Sequence, residues 1–326
     1  MDTLLELVDV TKRYRGGTVG VDSVDLRLGP GLLGLLGPNG AGKSSLLRIA
    51  ATVTRPTSGR LLFGGADAVR HPDALRRALG YLPQDFGVYP HLSAVEFLAY
   101  LAAVKGVGAR AARARIGGLL ELLDLSGTAK RPLGSYSGGM LRRVGIAQAL
   151  LTDPLVLVVD EPSAGLDPEQ RVVLRNLLSD LAATRLVVLS THIASDVESV
   201  AADIAIMAGG RIVTRGTPER VRALADGRTW EATLAPEAVA ELRTRCLISK
   251  MVRSAQAVTV RMLSDGTPIP GAVPVAPDLE DAYLVAVHAG GAGGGGSDFR
   301  GGPGGAGNTR TGSTGAPSPT AHGARQ

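Results

Sequence analysis

Cysteine is nearly missing from this chain and aromatic residues are scarce: one Cys, at position 246, and 3% Phe, Trp and Tyr among 326 residues. A lone cysteine excludes a disulfide within the chain. No basic-then-apolar leader opens the N-terminus, where Asp2 and Glu6 stand among leucines, so the cytoplasm is the expected compartment. Long hydrophobic runs are lacking too. Runs such as Leu155 to Val159 and Leu186 to Leu189 are strand-length, far short of the roughly 20 residues that a membrane-spanning helix requires. Lysine occurs only five times, and the formal net charge of +5 rests mostly on dispersed arginine. Without a dense basic block or interleaved aromatics, nucleic acid is not an expected partner. What is present, 44% hydrophobic and 20% charged residues, describes a globular core with room for two domains.

Residues 4 to 36 carry three strand-like runs, "LLELVDV", "GVDSVDLRL" and "GLLGLL", punctuated by Gly and Pro. The third leads into "GPNGAGKSSLLRIA", where Leu46, Leu47, Ile49 and Ala50 continue with helical spacing. Further strands are expected at "RLLFGG", "ALGYLPQ", "LVLVVDE", "RLVVLSTH" and the hairpin "DIAIMAGGRIVTRG". Between about 85 and 135 the pattern turns helical. Ser93 and Glu96 form a capping box ahead of "AVEFLAYLAAVKG", and "RARIGGLLELLDL" makes a second amphipathic helix. Thr217-Pro218 opens a short helix to about Leu224. The chain is expected to divide into a main domain at 1–224, a small α+β unit at 225–288 and a disordered low-complexity tail at 289–326. That tail is too poor in apolar residues to offset its chain entropy.

The run Gly37 to Ser44 fits GxxxxGK[ST] between a strand and a helix. Such a loop wraps phosphate with backbone N–H groups, its lysine reaches the β and γ oxygens, and its Ser44 hydroxyl ligates Mg²⁺. Asp160 and Glu161 stand at the end of an apolar strand, suited to holding the metal through water and to taking a proton from attacking water. His192 ends a neighbouring strand, where it would hold the γ-phosphate and the water in line. Gln84 offers a neutral amide to the metal and water cluster, and Tyr14 a face for an adenine. A second glycine turn, Ser137-Gly138-Gly139, opens a helix whose N–H groups and dipole can meet phosphate. No lysine or acidic metal ligand follows within that helix. A second molecule placed head to tail would use this turn to close the first molecule's phosphate site.

In their order along residues 4 to 216, Tyr14, "GPNGAGKS", Gln84, "YSGGM", "LVLVVDE", "SAGLD" (Ser163 to Asp167) and His192 resemble the ATP-binding subunit of an ABC transporter. The resemblance implies a P-loop NTPase α/β core of ABC ATPase type, with an antiparallel β subdomain, a helical subdomain and a small α+β appendage. It implies two subunits sandwiching two ATP molecules, with a transmembrane permease as partner, at the cytoplasmic face of the membrane. Nucleotide contacts would come from Tyr14, Gly37, Pro38, Asn39, Gly40, Ala41, Gly42, Lys43, Ser44, Ser45, Gln84, Ser137, Gly138, Gly139 and Asp167. Glu161 and His192 would serve catalysis, and Ser44, Gln84 and Asp160 the Mg²⁺. "LEDAYL" (Leu279 to Leu284) is similar to the C-terminal motif of ABC-2 type exporters, among them drug and antibiotic efflux ATPases. The usual LSGGQ signature is altered here by Tyr136 and Met140, and the missing Gln amide removes a polar contact toward the nucleotide sugar.

An export motor is therefore the expected function. A non-transport ABC ATPase acting on ribosomes or DNA is the alternative, which would call for two ATPase modules or a long coiled-coil insert. Neither is in the sequence. A P-loop kinase or GTPase leaves "SGG" and His192 without a purpose.

Overall fold

The computed structural model describes residues 3–291. The tail expected from 289 lies outside these residues, except that Ala289 to Gly291 extend the last helix.

From the N-terminus, strands β1 (Leu5–Arg13), β2 (Val19–Leu28) and β3 (Gly31–Leu36) precede helix α1 (Lys43–Ala50). There follow β4 (Ser58–Phe63), β5 (Ala66–Asp67), α2 (Asp73–Ala78) and β6 (Leu79–Leu82). Helices α3 (Ala94–Val104), α4 (Ala109–Leu122) and α5 (Gly138–Leu150) interrupt the strands. Then β7 (Val156–Asp160), α6 (Pro168–Ala182), β8 (Leu186–Thr191), α7 (Ser195–Glu198), β9 (Asp203–Ala208) and β10 (Arg211–Gly216) complete the larger part. The expected strand at "ALGYLPQ" begins one residue late, because Ala78 ends α2.

Two sheets result. The antiparallel one has the order β2-β1-β4-β5, and the other runs β10-β9-β3-β8-β7-β6. In the second sheet β6, β7, β8, β3 and β9 are mutually parallel, and only β10 is antiparallel. Every residue of β7 and β8 is buried. Parallel strands covered on both faces read as continuous apolar runs, which is what "VLVV" and "LVVL" are. The register sets Leu36 beside Thr191 and Asp160 beside Ser190, so the C-terminal ends of β3, β7 and β8 emerge together.

The three-helix interruption has the local signals expected of it. Ser93 accepts from the Glu96 backbone while the Glu96 carboxylate accepts from the Ser93 N–H at 2.8 Å. Phe97, Leu98, Ile116, Leu119 and Leu120 are buried on the facing sides of α3 and α4. Past β10, α8 (Pro218–Arg222) is capped by Thr217 and runs into a short 3-10 turn. A third sheet, β12-β13-β11-β14, is built from β11 (Thr229–Leu234), β12 (Leu247–Arg253), β13 (Val258–Leu263) and β14 (Val273–Pro274), with α9 (Val239–Arg245) before β12. Helix α10 (Leu279–Gly291) returns to pack on α8 and β9.

Candidate active site

The loop after β3 is held by close backbone approach. Gly42 has φ +103, and a Cβ there would lie 1.9 Å from the Gly20 carbonyl oxygen. Only glycine fits, because the left-handed conformation and the contact both exclude a side chain. Lys43 begins α1 and turns back on the loop, its ammonium donating to the carbonyls of Gly37 at 2.6 Å and Pro38 at 3.3 Å. Ser45 on the same helix is 2.9 Å from the Tyr14 hydroxyl, so the half-exposed Tyr14 ring stands beside the loop.

Glu161, one residue beyond β7, joins this loop to the end of β8. One carboxylate oxygen lies 3.7 Å from the Lys43 Nζ and the other 2.9 Å from the His192 Nδ1. A carboxylate only accepts, so Nδ1 carries the hydrogen in this contact, and among the described residues Nε2 has no protein partner. The Glu161 and Lys43 side chains are nearly enclosed, whereas that of His192 is half open to solvent. Burial pulls the Lys43 ammonium below its ordinary value of 10.5, against the opposing pull of Glu161 and then Asp160. Asp160 is 1% exposed, and its Oδ1 has no hydrogen-bond partner among the described residues. An orphaned buried carboxylate oxygen is costly unless something else satisfies it.

The structure thus brings together Tyr14, the 37–45 loop, Asp160, Glu161 and His192. The remaining expected residues lie in a second group. Ser137 caps α5, its hydroxyl accepting from the Met140 N–H at 3.2 Å, while Tyr136 is buried and donates to the Thr128 carbonyl at 2.7 Å. Ser137 and Gly138 are exposed, and the position of a Cβ on Gly138 is open space. Gly139 packs on Gln170 and Leu166. Asp167 caps α6, accepting from the Gln170 N–H at 2.8 Å. Among the described residues, no hydrogen bond or ion pair joins this second group to the 37–45 loop of its own chain. The hydroxyl expected to face phosphate is therefore engaged in capping its own helix. Gln84 is exposed two residues beyond β6.

Sequence reasoning missed two contributors. Ser163 donates to the Asp196 carboxylate, both buried, which pins the segment after Glu161 to α7. Arg142 is 7% exposed, and its guanidinium lies against the backbone that follows β6 and β7. The signal for it was available: Arg142 interrupts the stripe Gly139, Ile146 and Ala149, which is otherwise small or apolar and buried.

Residues 21–164 match the family model described as ABC transporter. Over 235 residues the chain is 37% identical to the daunorubicin resistance ATP-binding protein DrrA3 of Streptomyces coeruleorubidus, covering 72% of this chain and 74% of that protein. It is 35% identical over 223 residues to the Nod factor export ATP-binding protein I of Cupriavidus metallidurans, covering 68% and 73%. Among solved structures, a dimeric ATP-binding cassette in a post-hydrolysis state bound to ADP and Pi superposes with a TM-score of 0.60 at 26% identity. That match covers 66% of this chain and 98% of the other. With its phosphate loop, its carboxylate-bearing strand and its relatives in agreement, the chain belongs to the ABC transporter family, as one of its ATP-binding, ATP-hydrolysing subunits.

Proposed function

We propose that this chain hydrolyses ATP at the Lys43, Glu161 and His192 cluster to drive a separate membrane permease that exports a drug-like or other small molecule. The observation that carries this reading is the Glu161 carboxylate, held between the Lys43 ammonium and the His192 ring at the joined ends of three parallel strands.

The roles follow from the geometry. Lys43 exchanges its carbonyl partners at Gly37 and Pro38 for the β and γ oxygens, and Tyr14 offers its face to the base. Glu161 accepts a proton from the attacking water. His192 orients that carboxylate through Nδ1, and Nε2 donates to the γ-phosphate when it too carries a hydrogen. The Ser44 hydroxyl, the Asp160 carboxylate and the Gln84 amide are oxygen donors that fit Mg²⁺, a hard cation that keeps several of its waters. The unpartnered Asp160 Oδ1 supports that assignment. Bound there, Mg²⁺ would neutralise charge developing on the phosphate oxygens.

Two partners belong to the reading. The open turn at Ser137 to Gly139 serves the nucleotide of a second ATPase subunit, identical or homologous, as the dimeric form of the solved relative suggests. In this reading the permease is a separate chain and this subunit lies peripherally at the cytoplasmic face; no helix among the described residues is long and apolar enough to cross a membrane. Its docking surface is a groove of about 620 Å³ lined by Phe86, Tyr89, Phe97, Tyr100 and Val104, next to Gln84. Five of the eleven Phe, Trp and Tyr residues in the sequence line it; Tyr89 and Tyr100 are exposed there and Phe97 is buried, and aromatic side chains at a surface suit a protein interface. The division into an ATPase domain at 1–224, a small unit at 225–288 and a tail belongs to the same proposal. The names of the drug-resistance and export relatives support the direction of transport.

Glu161→Gln tests the chemistry. Loss of a general base lowers turnover by about 10²–10⁴-fold, with nucleotide binding retained. Turnover near that of the parent protein would remove Glu161 from the mechanism.

A further inference from the structure

Helix α5 starts at Gly138 with the signature turn, and Arg142 lies about one helical turn further along. Among the described residues, its side chain makes no hydrogen bond to a carboxylate. Nε donates to the Pro162 carbonyl at 3.1 Å, Nη1 to those of Pro83 at 3.3 Å and Gln84 at 2.8 Å, and Nη2 to those of Asp160 at 3.3 Å and Glu161. A guanidinium offers five N–H groups in a fixed plane. Here they reach five carbonyls on two separate segments.

Those segments are the ones that carry the site. Asp160, Glu161 and Pro162 form the turn on which the carboxylate stands, and Pro83 and Gln84 lead from β6 to the aromatic groove. Glu161 has φ +50, a left-handed conformation that a side chain adopts at a cost. Such a conformation persists where the surroundings over-determine it. Three of the Arg142 contacts fall on that turn. A rigid helix therefore connects an open turn at one end to the backbone beneath Glu161.

We infer that Arg142 is a positioning residue that couples the two nucleotide sites of the dimer, moving the Glu161 turn of its own chain when the Ser137 to Gly139 turn one helical turn away engages the partner's nucleotide. The inference rests on the proposed sharing of sites between two subunits. It adds the route by which one site reads the other, and the same guanidinium carries that state to Gln84 at the edge of the groove.

The test is steady-state ATP hydrolysis by the full chain as a function of ATP concentration, for the parent, Arg142→Gln and Arg142→Lys, with thermal unfolding and binding of a fluorescent ATP analogue measured alongside. The expected result is parent cooperativity with a Hill coefficient above 1, falling to about 1 in Arg142→Gln. Turnover falls by about tenfold or more while the apparent KM and analogue binding stay within about twofold. Arg142→Lys recovers part of the turnover, because it keeps the charge and loses the fork. If Arg142→Gln does not fold, Arg142→Lys decides, and its Hill coefficient is expected to fall toward 1. A variant with the parent's Hill coefficient at equal turnover per folded protein overturns the inference. So does a loss of binding and turnover in step with the unfolding temperature, which marks a purely structural arginine. A parent that hydrolyses ATP with a Hill coefficient of 1 overturns the coupling and leaves the proposed function intact. A parent whose hydrolysis is unchanged in Lys43→Ala overturns both.

Discussion

The two glycine turns of this chain are built to opposite specifications. At Gly42 the backbone of Gly20 fills the place of a side chain, Lys43 is turned onto the loop's own carbonyls, and Glu161 closes the cluster from the next strand. At Gly138 the same place is open space, and the capping hydroxyl of Ser137 satisfies the helix rather than any ligand. The first turn is a finished receptor within one chain, and the second is an exposed helix start with its N–H groups unmatched by the chain's own loop. On the proposed reading, the difference is that between the two halves of a shared site.

The sharpest way to break this contrast is at the finished turn. Gly42→Ala forces a left-handed alanine against a carbonyl oxygen, and strain of this kind costs about 1–3 kcal/mol before the clash is counted. The expected outcome is an ATP affinity weakened by about 100-fold, with turnover lost along with it. Equilibrium binding of a fluorescent ATP analogue reads this directly, and unchanged affinity would refute the packing argument. The open turn should respond differently. Gly138→Asp meets no atom of its own chain, so the fold and the first encounter with ATP at Lys43 stay within about twofold of the parent. A carboxylate facing phosphate across the interface costs several kcal/mol, enough to lower turnover by about 10³-fold. Parallel loss of binding and turnover would mean that the turn supports its own subunit only. Position 139 is a poorer choice, because a side chain there meets Gln170 and Leu166.

The same contrast governs what was readable in the sequence. The cluster that gathers around Lys43 was legible because its parts stand at the ends of strands whose apolar runs announce them: "GLLGLL" before the loop, "LVLVVD" before Glu161 and "LVVLST" before His192. Parallel pairing then places the strand ends side by side. The contact between Glu161 and His192 depends on that register, which no local pattern encodes. Helix α6 went unread although Asp167-Pro168 is an N-cap followed by Pro at the first turn, because "SAGLD" drew attention as a motif rather than as a helix start. Strands β5 and β14 have two residues each, too short for any periodicity to show. Arg142 was passed over because its partners are backbone carbonyls distant in sequence. Met140 reads as a lost amide in the sequence, whereas in the structure it is half-buried against the helical core.

The smallest effect on hydrolysis is expected at the motif that the sequence singled out near its end, whose polar contacts reach neither turn. Asp281 is fully buried where α10 meets the third sheet. It accepts from Arg261 at 2.6 Å, from the Ser249 hydroxyl at 2.7 Å and from the Asp278 N–H at 3.0 Å. Burial alone would push its carboxyl up, but Arg261, Asp278 and Ser249 outweigh that and hold it below its ordinary value of 3.8. A carboxyl depressed in the folded state contributes stability that is complete above its unfolded value and is lost as pH falls through the folded one. Asp281→Asn breaks a buried ion pair and should cost about 3 kcal/mol at neutral pH. The gap between parent and variant in thermal unfolding should then narrow as pH falls below 3.8, because the parent's own carboxyl is by then being protonated. A gap that stays constant with pH would show that the charge on Asp281 contributes nothing. Turnover at neutral pH should remain within about twofold, since none of these contacts reaches the Glu161 turn. A large loss of turnover in a stably folded Asp281→Asn would instead make α10 a third participant in the site, through its packing on α7 beyond His192.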